Sequence, residues 1–276
     1  MKKLLAIILC FSATVSCSKL DVAVSWADTY IVSQVDDYFD IKSTQRKDLK
    51  ESLKKDIEKI RKEQFPLWAA ELRRFEKDVR DDTLNEASFH DYFDKTLDTS
   101  KKIQPYFADT AVKFISTTTP AQLEHFERTL RKNNVEDEKK IQNGKKTRNE
   151  TRKKYLRWVE MWIDSLSKDQ DQLLNQHLDE NPFPALALVK NKNYVLEKFH
   201  EARKSPESLK NFVRNYYHNK YQYADPDYQK ALVSYQAGLE KFIYSLIKSM
   251  NEKQKKLLSE SLTEKASSLE RLAAKD

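Results

Sequence analysis

An all-α protein, an elongated bundle of about eight helices, follows from three features of the 276-residue sequence. Only two residues are glycine, Gly144 and Gly238, and seven are proline. Turn-rich sheet proteins need glycine at positive-φ positions, so this scarcity argues against them. Charged residues make up 34% and hydrophobic residues 39%, the balance of long amphipathic helices whose solvated faces carry Glu and Lys. Apolar residues also recur at spacings of three and four over long stretches, a periodicity that a disordered chain lacks.

The first element is a leader. "MKKLLAIILCFSATVSC" has a basic start at Lys2 and Lys3, an apolar run from Leu4 to Phe11, and small residues before a cysteine. That pattern is a secretory signal and is too short to span a membrane. Its last four residues, "TVSC", resemble the lipobox of bacterial lipoproteins, with Val15 at −2, Ser16 at −1 and Cys17 as the acylated residue. Thr14 stands where leucine is usual, and Cys10 lies inside the apolar run. The resemblance implies a signal peptide over 1–16, a lipidated tether over 17–21 and a single helical domain over 22–276. It implies acyl chains such as palmitate on Cys17 and no cysteine left for a disulfide. Several acyl chains, at about 0.8 kcal/mol per buried CH₂, hold far more firmly than one. Ser18 follows instead of the aspartate that lipoprotein sorting reads as inner-membrane retention. The expected place is therefore the bacterial outer membrane, facing the periplasm. Loss of Lys2 and Lys3 with the signal takes the formal charge from +7 to about +5, which makes no case for nucleic acid.

The helical stripe then runs through Leu49, Leu53, Ile57 and Ile60, and on through Leu67, Trp68, Leu72, Phe75 and Val79. Pro66 predicts a kink or a restart within it. "TLNE", Thr83 to Glu86, reads as a capping box opening the next helix, with Pro105 as a second kink. Later helices are expected over 120–133, 147–166, 169–178, 192–202, 206–221, 228–250 and 252–274. Four helix starts align on Gln45, Gln122, Gln170 and Gln254. Each glutamine is followed four and eight residues on by an apolar residue, as in Leu49 and Leu53 or Leu258 and Leu262. Three residues before them stand Lys42, Thr119, Ser167 and Asn251, of which the last three are good N-caps. The pattern is a recurrent helix start with glutamine at N3, at intervals too irregular for a solenoid.

"WADTYIVSQVDDYFDIKSTQRKDL", "RKKYLRWVEMWIDSLSKDQ" and "SLIKSMNEKQKKLLSESL" resemble segments of an uncharacterised family of helical bacterial lipoproteins, known only as a domain of unknown function. That resemblance implies an exported all-helical protein and carries no activity. The glutamine starts also resemble the Leu-Thr-x-x-Gln motif of small periplasmic stress chaperones, although the strict Leu-Thr pair does not occur.

Three stretches are candidate sites. In "QVDDYFDIKS", Asp36 and Asp40 face together on a helix while Asp37 points elsewhere. The pair could hold a hard cation, and the three could work as acid and base or contact a partner, but a calcium loop needs more oxygens in a turn. The plainer reading is capping and ion pairing with Arg46 and Lys47 nearby. The second stretch carries nine basic residues between Lys139 and Arg157 against one acid, Glu150. Lys145, Lys146, Arg148, Arg152, Lys153, Lys154 and Arg157 suit anionic headgroups or an acidic partner, or form a solvated face while Trp158 and Trp162 enter the core. The third stretch, from Phe212 to Tyr228, holds Tyr216, Tyr217, Tyr221 and Tyr223, which could stack on glycan or peptide or fill a bundle corner.

The five histidines read as solvated or capping residues, and no zincin motif, nucleophile elbow or phosphate loop is written in the chain. The expected function is therefore a membrane-anchored, non-catalytic envelope protein without cofactor or metal. It would bind a protein or polymer partner, or act like a chaperone. The alternative is an enzyme on cell-wall or lipid substrates using Asp36, Asp37 and Asp40.

Overall fold

The computed structural model describes residues 17–275; the expected signal peptide, 1–16, lies outside the described residues. The protein is all-α, 87% helical and without strands among the described residues. Among the described residues there are eleven α-helices, one of only eight residues, and two short 3-10 turns, more than the eight expected. They are α1 (Cys17–Phe39), α2 (Ser43–Arg80), α3 (Glu86–Ile103), α4 (Ala108–Ile115), α5 (Pro120–Ile141) and α6 (Gly144–Ile163). Then come α7 (Lys168–Glu180), α8 (Ala185–Ala202), α9 (Pro206–His218), α10 (Pro226–Lys248) and α11 (Glu252–Ala273). The additional elements come from short breaks. The 3-10 turn Gln104–Phe107 around Pro105 separates α3 from α4, and the turn Lys220–Tyr223 follows α9. The residues expected as a tether, 17–21, are the first turn of α1, with Leu20 buried.

α2 is the spine. Its 38 residues run unbroken through Pro66, so the helix does not restart there; at 1.5 Å per residue it is about 57 Å long. α11 lies antiparallel along it. Arg61 donates to the Leu272 carbonyl at 3.0 Å, Arg73 pairs with Glu270, and Ser259 donates to Glu76 at 2.6 Å. α1 runs antiparallel on another side, with Arg46–Asp36 at 2.5 Å at one end and Lys50–Asp28 further along.

Three apolar cores are strung along this spine. Leu49 and Leu53 near its start pack with Val32, Phe39, Leu123 and Leu196. Ile60, Phe65 and Ala69 at its centre meet Leu20, Val24 and Ala266. Val79 near its end joins Val159, Leu174, Leu246 and Leu262. The four fully buried leucines, Leu174, Leu196, Leu246 and Leu262, each contribute about 1.5–3 kcal/mol of transfer free energy. α10 packs closely against the end of α7. A Cβ on Gly238 would fall 2.3 Å from the Asn181 side-chain oxygen and 2.9 Å from its Cβ.

Local capping departs from expectation after α2. The cap of α3 is Asn85, which accepts from the Ser88 backbone at 2.9 Å while its own N–H reaches the Ser88 hydroxyl. Thr83, the expected cap, bonds Asp78 instead. In a chain so short of glycine, left-handed helix ends fall to aspartate. Asp40, Asp82 and Asp164 all have positive φ, at 50°, 53° and 73°, a conformation that Asp tolerates better than most residues.

Candidate functional site

The four aligned glutamines meet in two pairs. Gln45 and Gln122 exchange amide hydrogen bonds at 3.2 and 2.9 Å, and Gln170 and Gln254 do so at 3.0 and 2.9 Å. Each amide oxygen also accepts its own N-cap backbone N–H, from Lys42, Thr119, Ser167 or Asn251, at 2.9–3.2 Å. Each amide nitrogen donates to a carbonyl just past the preceding end of the other helix. Gln45 reaches Thr117 and Gln122 reaches Asp40, while Gln170 reaches Ser249 and Gln254 reaches Ser165. Two donors and two lone pairs are thus used on every side chain, which fixes the amide orientation and removes the cost of burial. All four are buried. Each pair clasps two helix-to-helix corners together, α1–α2 with α4–α5 and α6–α7 with α10–α11.

The aspartate segment belongs to the first clasp. Asp36 accepts from the Ile41 N–H at 3.0 Å and from Arg46 at 2.5 Å, and the Arg46 guanidinium holds its carboxyl below the usual range. Asp37 receives a long bond from Gln34, 3.4 Å. Asp40 is the left-handed residue that ends α1, and its carbonyl takes the Gln122 amide. The three aspartates therefore have three different local tasks. Among the described residues, no three His, Cys, Asp or Glu side chains are arranged to hold a metal ion.

The aspartate segment and the tyrosine stretch are opposite ends of one chain of rings. Phe39 stacks on Phe126 at 4.5 Å, Phe126 meets Phe199 at 4.8 Å, and Phe199 meets Phe212 at 6.0 Å. Phe212 then contacts Tyr216 and Tyr223, at 6.0 and 4.8 Å. Burial pushes the Tyr216 hydroxyl up to about 12, and burial with the charge of Asp56 raises Tyr217 as well. Tyr221 stands apart, with the Lys220 ammonium 5.4 Å from its ring centre.

The basic stretch divides in two. Arg148 forms a two-pronged pair with Asp179, at 2.6 and 2.9 Å, and Arg152 pairs with Asp171, so both fasten α6 to α7. Lys145, Lys146, Lys153, Lys154 and Arg157 are exposed and form no ion pair with a described residue. Trp158 and Trp162 pack half-buried against the third core, with Lys265 lying 4.2 Å over Trp162.

Among the buried polar features that escaped the sequence reading, two lie deep between helices. His177, expected to be solvated or capping, is buried and stacked on Phe242 at 4.7 Å. Tyr155 bridges its Nε2, at 3.0 Å, to the Tyr235 hydroxyl, at 2.6 Å. Burial lowers the basicity of the imidazole. Its place between Leu174 and Leu178 on the core stripe was the available signal. Lys192 and Asp137 form a buried pair at 2.8 Å between α5 and α8; 55 residues apart, they left no pattern to read.

No described helix is long and apolar enough to cross a membrane. Comparison with curated proteins and with solved structures returns no match. The profile of a family of unknown function, DUF6279, matches residues 37–229, from the aspartate segment and first clasp through the basic helix to the tyrosine turn. The chain belongs to that family of unknown function.

Proposed function

We propose that this chain is an exported lipoprotein, acylated on Cys17 and held at the periplasmic face of a bacterial outer membrane. Its helical body binds an acidic envelope protein or polymer, as a scaffold or chaperone-like surface, without a catalytic step. The anchor is supported by the "TVSC" box after a basic start and an apolar run. The binding reading is carried by one observation, the five cations Lys145, Lys146, Lys153, Lys154 and Arg157, exposed on α6 and without an ion pair among the described residues. Arg148 and Arg152 on the same helix are already spent on α7, so these five are the charges left for a partner. A cluster of this kind raises encounter rates with anions and weakens as salt rises.

Two measurements test the reading. Labelled palmitate should enter the wild-type protein and fail to enter Cys17→Ala; an unlabelled wild type removes the anchor. Partners captured from envelope extracts should be lost when the five cations are reversed to glutamate, and loss should be reproduced by raised salt. An unchanged set of partners removes this surface.

A further inference from the structure

The outward face of α1 is aromatic and almost free of charge. In a chain that is 34% charged, residues 22–35, "VAVSWADTYIVSQV", contain a single charged residue, Asp28. Asp28 is turned inward, 5% exposed, with its carboxylate bonded to Thr29 and facing Lys50. What α1 shows to solvent here is Val22, Ala23, Ser25, Trp26, Tyr30 and Ser33. Val22, Trp26 and Tyr30 are 56%, 63% and 42% exposed, and their spacing of four places them along one stripe. Asp21, the acid at the head of the stripe, is neutralised by Arg271 at 2.9 Å and Lys275 at 3.9 Å.

We propose that this neutral, aromatic face of α1 lies on a lipid headgroup surface. The proposal rests on the anchor reading for the identity of that surface, and three observations favour lipid over another occupant. The helix is described from Cys17 onward, so acyl chains on that residue would hold this end of α1 at the bilayer. By the helical rise, Trp26 and Tyr30 then stand about 13 and 20 Å from the anchor along the axis. A helix lying along the surface brings Val22, Trp26 and Tyr30 to it together, within reach of flexible acyl chains at the end of α1. Tryptophan and tyrosine, with apolar bodies and polar tips, are the residues that settle at membrane interfaces. Finally, a face without charge meets anionic headgroups with neither repulsion nor a salt requirement, unlike the cationic face of α6. The two faces thus separate two tasks, α1 toward the membrane and α6 toward an acidic partner.

The test uses vesicles of phosphatidylethanolamine and phosphatidylglycerol with brominated acyl chains, which quench tryptophan fluorescence only at short range. The chain from Cys17 onward is attached in two ways, by its own acylation and, for unacylated protein, by coupling the Cys17 thiol to a maleimide lipid. The expected result is quenching of one emission component that Trp26→Phe removes, in both forms. Quenching that is identical in wild type and Trp26→Phe overturns the proposal. So does self-association in solution that Trp26→Ser abolishes, because the stripe would then be covered by a second copy. Trp26 is exposed, so these variants keep the fold. If mass measurement finds Cys17 unacylated while the coupled form still shows Trp26 quenching, the anchor reading fails and the membrane face of α1 survives.

Discussion

The two glutamine clasps are built from the same parts and are finished to different degrees. In the second, both N-caps supply side-chain acceptors. Ser167 takes the Gln170 N–H at 3.2 Å and Asn251 takes the Gln254 N–H at 2.9 Å. In the first, only Thr119 does so, at 3.3 Å, because Lys42 has no acceptor to offer. Gln170 is also buried more deeply than Gln45, 1% against 8% exposed. The difference teaches that the reciprocal amide pair, present in both, is what joins the corners. The N-cap acceptor adds to each helix start by itself.

The largest expected effect comes from breaking the deeper clasp. Gln170→Leu leaves the Gln254 amide and the Ser249 carbonyl short of partners in a dry site, at about 3 kcal/mol in urea unfolding. Gln45→Leu should cost nearer 2 kcal/mol, since its surroundings admit more water. Amide hydrogen exchange would locate each loss, at the starts of α7 and α11 for the former and of α2 and α5 for the latter. Equal costs spread over the whole chain would refute the idea of two separate clasps.

A smaller change should bring the first clasp nearer the second. Lys42→Ser supplies the missing acceptor and is expected to stabilise by about 1 kcal/mol, measured as a shift in urea midpoint at unchanged slope. Destabilisation would show that Lys42 contributes something its backbone geometry does not reveal.

The last difference is invisible at pH 7. His177 lies in the core beside the second clasp, and burial places its folded pKa below the unfolded value of about 6.5. As pH falls, the unfolded chain therefore takes up the proton first. Stability is complete above about pH 6.5 and declines as pH drops toward the folded value. His177→Gln should remove that part of the acid slope, read from urea midpoints between about pH 7 and pH 5. An unchanged slope would mean that the imidazole protonates in place.

Much of this was legible in the residues. Leu49, Leu53, Ile57 and Ile60 announced α2 by spacing alone. Thr119, Ser167 and Asn251 announced three helix starts because an N-cap needs only its own first turn. The legible parts fail where a local signal is ambiguous. Pro66 could have ended α2, but burial of Phe65 and Ala69 on either side carries the helix through. Asp36, Asp37 and Asp40 looked like a carboxylate cluster because sequence proximity does not say that the helix ends between the second and the third.

By itself, then, the sequence determined the helical class, the positions of most helix starts and the nearly uncharged stretch of residues 22–35, all of which depend on neighbours within a turn or two. Tertiary structure alone decided that Gln45 finds Gln122 and Gln170 finds Gln254, 77 and 84 residues apart. It also decided which of the basic residues on α6 would be spent on α7, and that Asp28 would turn inward. The reason is physical. A cap or a stripe is satisfied within one helix, whereas an amide pair or an ion pair exists only once two helices have been brought together by the burial of their apolar faces.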